Sequence, residues 1–195
     1  MISVVDTGVA NSASVLYALE RLGYKGELTA NPELIRKSQH VILPGVGTAS
    51  ACMEKLIDRG LDECLRGLSQ PVLGICLGMQ MLYSQSDEGN VECLKVFEGR
   101  VRKLVPPNHL PIPHMGWNRV SQVRKSRLLE NIVDGTHFYF LHSFRVPEGS
   151  EIVAVSHYGE VVPAVVEQGN WFGTQFHPER SGAAGEQLLR NFLNL

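Results

Sequence analysis

Cysteine is scarce in this chain and badly spaced for structural duty. Cys52, Cys64, Cys76 and Cys93 include no C-x-x-C pair, so neither a disulfide framework nor a zinc site is indicated. Positive charge is not in excess: 18 Lys and Arg stand against 20 Asp and Glu. The net charge of −2, without any Lys/Arg cluster, argues against nucleic-acid binding. Every apolar run falls far short of a membrane span, and Met1-Ile2-Ser3-Val4-Val5-Asp6 carries neither a basic leader segment nor a cleavage signal. These absences predict a cytoplasmic protein whose thiols stay reduced. What remains is 44% hydrophobic and 19% charged residues, the balance of an ordinary globular protein. A chain of 195 residues suffices for one domain, residues 1–195, that buries roughly 70% of its unfolded surface.

In the first half, short apolar runs alternate with helical patterns. Ile2 to Val5 reads as a strand, followed by Val15, Leu16, Leu19 and Leu22 at helical spacing, with Gly23 placed to end the helix. Val41-Ile42-Leu43 is a second strand, stopped by Pro44-Gly45-Val46-Gly47, and a helical stretch from about Ala49 to Leu68 breaks near Gly60. Val72 to Ile75 is the next strand, and Met79, Met81 and Leu82 begin the helix after it. Continuously apolar strands alternating with helices predict a mostly parallel sheet covered on both faces, a three-layer α/β sandwich. From Gly99 onward the segments are strand-like: Val101 to Val105, Thr136 to Leu141, Ile152 to Ser156 and Val161 to Val166. They are expected to add antiparallel strands to that sheet. The run Pro106 to Pro113 reads as a loop, and a last helix from about Gly182 to Leu195 carries Leu188, Leu189, Phe192 and Leu193 as its apolar stripe.

The most informative segment is Gly74-Ile75-Cys76-Leu77-Gly78-Met79-Gln80. A thiol between two glycines, directly after an apolar strand, is the pattern of a nucleophile on a tight strand-to-helix turn. The glycines permit strained backbone and close approach of neighbouring main chain. A free thiol of pKa about 8.5 is only a few per cent thiolate at neutral pH, and a helix N-terminus contributes at most about 2 kcal/mol. Such a nucleophile needs a base.

Among seven histidines, His177 stands out in Phe176-His177-Pro178-Glu179. Pro178 pushes His177 toward extended backbone, and extended residues two apart point the same way, so His177 and Glu179 are expected to share a face. A carboxylate beside an imidazole orients it and stabilises its protonated form. The oxyanion of an acyl transfer needs donors. The Leu77 N–H follows the nucleophile and is one; the loop Pro44-Gly45-Val46-Gly47 can present a second, from Val46. That loop lacks the lysine and spacing of a phosphate-binding P-loop.

Together these three segments resemble class I, triad-type glutamine amidotransferases. Leu43-Pro44-Gly45-Val46-Gly47, Pro113-His114-Met115-Gly116-Trp117-Asn118 and Tyr139-Phe140-Leu141-His142-Ser143-Phe144 narrow the resemblance, which spans the chain, to the glutaminases of histidine biosynthesis. The resemblance implies that Cys76 is the nucleophile, His177 the general base and acid, and Glu179 the orienting carboxylate. It implies that Gly45, Gly47, Gln80, His142, Ser143 and Phe144 hold glutamine, with no cofactor and no metal. It further implies a heterodimer with a separate (β/α)8-barrel cyclase, which uses the ammonia to make imidazole glycerol phosphate and an aminoimidazole carboxamide ribotide. Asn11, Met115, Trp117, Asn118 and Arg180 match the surface that meets this partner. Arg180 stands where many relatives carry lysine, which keeps the charge and changes the donor geometry. A glutaminase of the same class that serves another synthase is the alternative.

Overall fold

In a computed structural model, residues 1–8, 12–45, 47–107 and 110–195 are described. The first half runs β1 (Ile2–Val5), α1 (Ser12–Arg21), β2 (Gly26–Thr29), α2 (Pro32–Lys37), β3 (His40–Gly45), α3 (Ala49–Asp58), α4 (Leu61–Arg66), β4 (Val72–Cys76) and α5 (Leu77–Gln80). Local chemistry sets several of these boundaries. Asn31 caps α2 by accepting the Glu33 N–H, with Pro32 opening the helix where no N–H is required. Gly60 takes the left-handed conformation at φ 63° between α3 and α4, the break expected there. The second half adds β5 (Gln85–Ser86), β6 (Val91–Glu92), β7 (Arg100–Lys103), β8 (His114–Arg119), β9 (Ser121–Gln122), β10 (His137–His142), β11 (Phe144–Arg145), β12 (Ile152–His157), β13 (Val161–Gln168), β14 (Trp171–Thr174) and α6 (Gly182–Leu193).

The main sheet has the strand order β2-β1-β3-β4-β14-β13-β12-β9. Its β2 to β14 half is parallel, and β13, β12 and β9 extend it antiparallel. Strands β1 and β4 are buried along their full length, as their unbroken apolar runs require. Alternate residues feed two cores. Val41 and Leu43 pack with α2, α3 and α4 on one face, while Ile42, Leu73 and Ile75 pack with α1 and α6 on the other. The result is the expected three-layer α/β sandwich.

Three expectations need correction. The helix after Cys76 is a single turn, because the carbonyls of Met81, Leu82 and Tyr83 accept N–H groups from the Leu94–Phe97 segment and cannot serve a longer helix. Strands β7 and β10 do not join the main sheet: among the described residues β10 pairs with β8 alone, and β7 belongs to a small sheet of order β11-β7-β5-β6. The signal was in β10 itself. Phe138, Phe140 and His142 are buried while His137 and Leu141 are exposed, the alternation of a ribbon lying with one face on a core. The third correction concerns β14, unexpected from the sequence, which lies parallel beside β4 with Thr174 opposite Ile75.

Strands β3 and β4 end side by side, with Gly45 opposite Cys76. Three glycines make that proximity possible. A Cβ on Gly78 would overlap the Leu43 carbonyl oxygen, one on Gly45 would collide with the Gly78 nitrogen, and one on Gly74 would sit 2.6 Å from the Gly78 carbonyl oxygen. These obstacles are backbone atoms, which cannot swing aside. Gly78→Ala is expected to lower folding stability by about 3 kcal/mol. Gly67→Ala, whose Cβ would meet nothing nearer than 3.6 Å, should shift it by less than about 0.5 kcal/mol. Denaturant midpoints of the two variants check this contrast.

Candidate active site

Cys76 stands at the hinge between β4 and α5 with φ 54° and ψ −108°. A side-chain-bearing residue in that region stores roughly 1–3 kcal/mol of strain and persists only where its surroundings over-determine it. The surroundings here are the packed glycine backbones just described. The turn lifts the sulfur out of the sheet, and Leu77 opens the following helix, so its N–H has no carbonyl within the helix to bond.

The partner side chain arrives on the neighbouring strand. Beyond Thr174 the chain continues through Gln175 and Phe176 to His177, whose backbone is extended at φ −97° and ψ 96°, as Pro178 demands. The His177 N–H donates to the Tyr139 carbonyl at 2.9 Å, and the Ser181 hydroxyl donates to the His177 carbonyl at 2.7 Å. Its ring borders the same cavity as Cys76, and Nδ1 lies 2.8 Å from Glu179 Oε1. The expected His177–Glu179 contact is therefore made, although not by two extended residues. Pro178–Arg180 forms a 3-10 turn that folds Glu179 back under the ring. Burial disfavours the imidazolium, but the Cys76 sulfur and the Glu179 carboxylate on either side outweigh it and hold His177 up to about 10.

Cys76 and His177 line one wall of a cavity of about 290 Å³, which also touches Gly45, Gly47, Leu77, Gln80, Ser143 and Phe144. That volume lies at the small end of the usual range for ligand clefts and suits an amino-acid-sized molecule. Gln80 donates one amide hydrogen to the Phe144 carbonyl at 2.9 Å and the other to Gln175 Oε1 at 3.0 Å. Both donors are thus spent within the protein, and the carbonyl oxygen is the end left for a ligand. His142 also lines the cavity, yet both its ring nitrogens bond protein groups, the Phe144 carbonyl and His114. Val46 and Asn11 lie outside the described residues.

Two residues of this site escaped the sequence reading. Gln175 is fully buried and places Nε2 3.7 Å from the Cys76 sulfur. Its signal was available, because Gln175 and His177 are two apart on an extended segment and point the same way. Glu88 lines the cavity and accepts the Ala49 N–H at 2.8 Å. Burial raises its pKa above the ordinary carboxylate range, partly opposed by that hydrogen bond. Nothing in the sequence singled it out, since the turn between β5 and β6 carries it to the head of α3, 39 residues earlier in the chain.

Strand β10 joins the site to the surface. The Tyr139 and Leu141 carbonyls face His177 and Cys76, the latter receiving the thiol hydrogen at 3.5 Å. On the other face of the β8–β10 ribbon, Met115 is 66% and Trp117 57% exposed, with Leu141 beside them at 37%. Trp117 meets the Tyr139 ring edge-on and is no core aromatic. Arg180 is exposed as well. Asn118, read with this surface, turns its amide inward to His114 and the His157 carbonyl.

Two measurements probe this geometry. Because glycine fits φ 54° freely, Cys76→Gly should be at least as stable as Cys76→Ala, despite the roughly 1 kcal/mol by which glycine ordinarily trails alanine; paired denaturation curves test it. His177 has a folded value raised above its ordinary one, so its stabilising contribution is complete below about 6.5 and is lost as pH rises toward about 10. Wild-type stability should therefore fall more steeply than that of His177→Asn between pH 7 and pH 10, which pH-dependent unfolding would reveal.

Comparison with known proteins shows the family of the chain. The family model for class-I glutamine amidotransferases matches residues 3–195. The imidazole glycerol phosphate synthase subunit HisH of Pasteurella multocida (strain Pm70) is 48% identical over 192 residues, covering 98% of this chain and 96% of that protein. The subunit of the same description from Pectobacterium atrosepticum is 47% identical over 193 residues, with 98% of each chain covered. Among solved structures, a glutamine amidotransferase superposes with a TM-score of 0.76 at 20% identity, over 99% of this chain and 97% of that one. PurLQS from Thermotoga maritima gives 0.72 at 21%, again over 99% and 97%; at such identities the likeness is one of fold. The chain belongs to the class-I glutamine amidotransferases and, within them, to the HisH subunits of imidazole glycerol phosphate synthase.

Proposed function

We propose that this chain hydrolyses glutamine to glutamate and ammonia through a thioester on Cys76, with His177 as base and acid and Glu179 as the group that orients it. The observation that carries the reading is the meeting of three groups: a sulfur on a strained turn, a histidine that lines the same cavity, and a carboxylate 2.8 Å from the histidine Nδ1. Cys76 attacks the side-chain amide carbon of glutamine, and the carbonyl oxygen takes up the charge. The Leu77 N–H, and the loop at Gly45 to Gly47 with Val46, stabilise that oxyanion. One such donor is worth about 10²–10³ in rate. His177 passes its proton to the departing nitrogen, so ammonia leaves and the thioester remains. Water, deprotonated by His177, then attacks the thioester and releases glutamate and the free thiol.

The cavity wall supports this substrate. Gln80 turns its carbonyl oxygen to a substrate N–H, Glu88 supplies negative charge for the α-ammonium group, and Gly47, His142, Ser143 and Phe144 form the remaining wall. No cofactor or metal is needed for these steps. The chain works in the cytoplasm, where thiols stay reduced; among the described residues no helix is long and apolar enough to cross a membrane.

Ammonia released here has value only to a synthase. The ribbon face of Met115 and Trp117, with Arg180, Asn118 and Asn11, meets a (β/α)8-barrel cyclase that consumes the ammonia in histidine biosynthesis. Apolar side chains of this size gathered on one exposed face are characteristic of docking surfaces. With that cyclase reconstituted, Cys76→Ala is expected to abolish glutamine-dependent synthesis of imidazole glycerol phosphate and to leave ammonia-dependent synthesis intact. Loss of both activities would assign Cys76 a structural role. The isolated chain should show very low glutaminase activity that rises when the cyclase and its ribotide ligand are added.

A further inference from the structure

Behind the cavity wall lies a buried polar chain that the proposed chemistry does not use. His114 sits between two aromatic rings, stacked on Tyr158 with centroids 4.0 Å apart and on Phe140 at 4.7 Å, both within about 21° of parallel. Its Nε2 is 3.1 Å from Asn118 Nδ2, and its Nδ1 is 2.9 Å from His142 Nε2. His142 Nδ1 is in turn 2.8 Å from the Phe144 carbonyl oxygen.

The direction of this chain is fixed from both ends. The Asn118 amide nitrogen also donates to the His157 carbonyl at 3.0 Å, and its oxygen accepts the Arg119 N–H at 2.8 Å. These two partners settle the amide orientation, so Asn118 donates to His114 Nε2 and the proton on His114 must be at Nδ1. A carbonyl only accepts, so the proton on His142 must also be at Nδ1, leaving Nε2 free to accept from His114. Both deductions give one continuous sequence of donors from Asn118 to Phe144. A second proton on either ring would set N–H against N–H. Burial agrees, pushing His114 down to about 4 and His142 down to about 3.

The end of the chain is part of the pocket. The Phe144 carbonyl accepts from both His142 and Gln80, which spends both lone pairs, and Gln80 is held at its other hydrogen by Gln175. We propose that His114 is a positioning residue for glutamine: through His142 it fixes the Phe144 carbonyl, and so holds the Gln80 carbonyl oxygen toward the cavity. This rests on the glutaminase reading above. His114 touches no substrate. It acts through its one donated hydrogen bond, and the two flanking rings hold it in plane.

The two parts of that statement separate by substitution. His114→Phe keeps an aromatic ring between Phe140 and Tyr158 but donates nothing, whereas His114→Asn returns an N–H near the position of Nδ1 and gives up the ring. In the reconstituted complex with the cyclase, His114→Phe should raise the glutamine KM about tenfold, the loss expected when a buried acceptor goes unpaired, with kcat within about threefold of wild type. His114→Asn should recover most of that KM. A KM unchanged in His114→Phe, a loss confined to kcat, or a poorer KM in His114→Asn than in His114→Phe would overturn the proposal, the last by making ring packing the whole role. Nitrogen-15 spectra of the wild-type chain at neutral pH provide a readout independent of turnover. Both His114 and His142 should be neutral Nδ1–H tautomers, and an Nε2–H tautomer at either ring would refute the chain. Absence of glutamine turnover in the wild-type complex would instead refute the glutaminase reading, while the tautomers would still report on the hydrogen-bond chain.

Discussion

The structure depends on how closely three stretches of backbone meet at the ends of β3 and β4. Gly45, Gly74 and Gly78 are each pressed against main-chain atoms, so no side chain fits at any of them. Their contact forces the chain leaving β4 into a turn that a cysteine adopts only under strain, and so sets Cys76 at the wall of the cavity. The loop after β3 is drawn to the same point, because Gly45 lies opposite Cys76 in the parallel register. One steric constraint thus brings the thiol, the first helical N–H and the glycine loop to one place.

Electrostatics then divides the buried histidines between opposite tasks. His177 has a carboxylate at Nδ1 and the Cys76 sulfur on the same cavity wall, and proximity to negative charge outweighs the cost of burial. His114 and His142 have no carboxylate at their ring nitrogens. They bond an amide, a carbonyl and each other, and burial keeps them neutral. Strand β10 touches both systems: its backbone supports His177 and Cys76, its inward side chain His142 enters the neutral chain, and Leu141 joins the exposed face. Any partner that presses on that face presses on a strand already bonded to the site.

Much of the parallel half was legible in the sequence because its strands are apolar without interruption and its turns are marked by glycine or proline. Cys76, His177 and Glu179 were legible for a related reason, since each sits in a short motif whose backbone consequences are local. Gln175 could have been found by the same parity argument as His177. Glu88 could not, for its place at the cavity depends on the path of the connection between β5 and β6. The separate β8–β10 ribbon was missed because strand-like composition says nothing about which sheet a strand joins, although the alternation within β10 pointed to a half-exposed one.

By itself, then, the sequence determined the three-layer class, the glycine-flanked turn at Cys76 and the pairing of His177 with Glu179, all of which follow from periodicity, glycine and proline stereochemistry and neighbours within a few residues. Only the tertiary structure decided that β14 lies beside β4, which carries His177 to Cys76 across about a hundred residues of chain, and that Gln80, Gln175, His142 and His114 form one hydrogen-bonded wall. Such relations join groups distant in sequence, and their partners are chosen by packing and by the requirement that every buried donor find an acceptor.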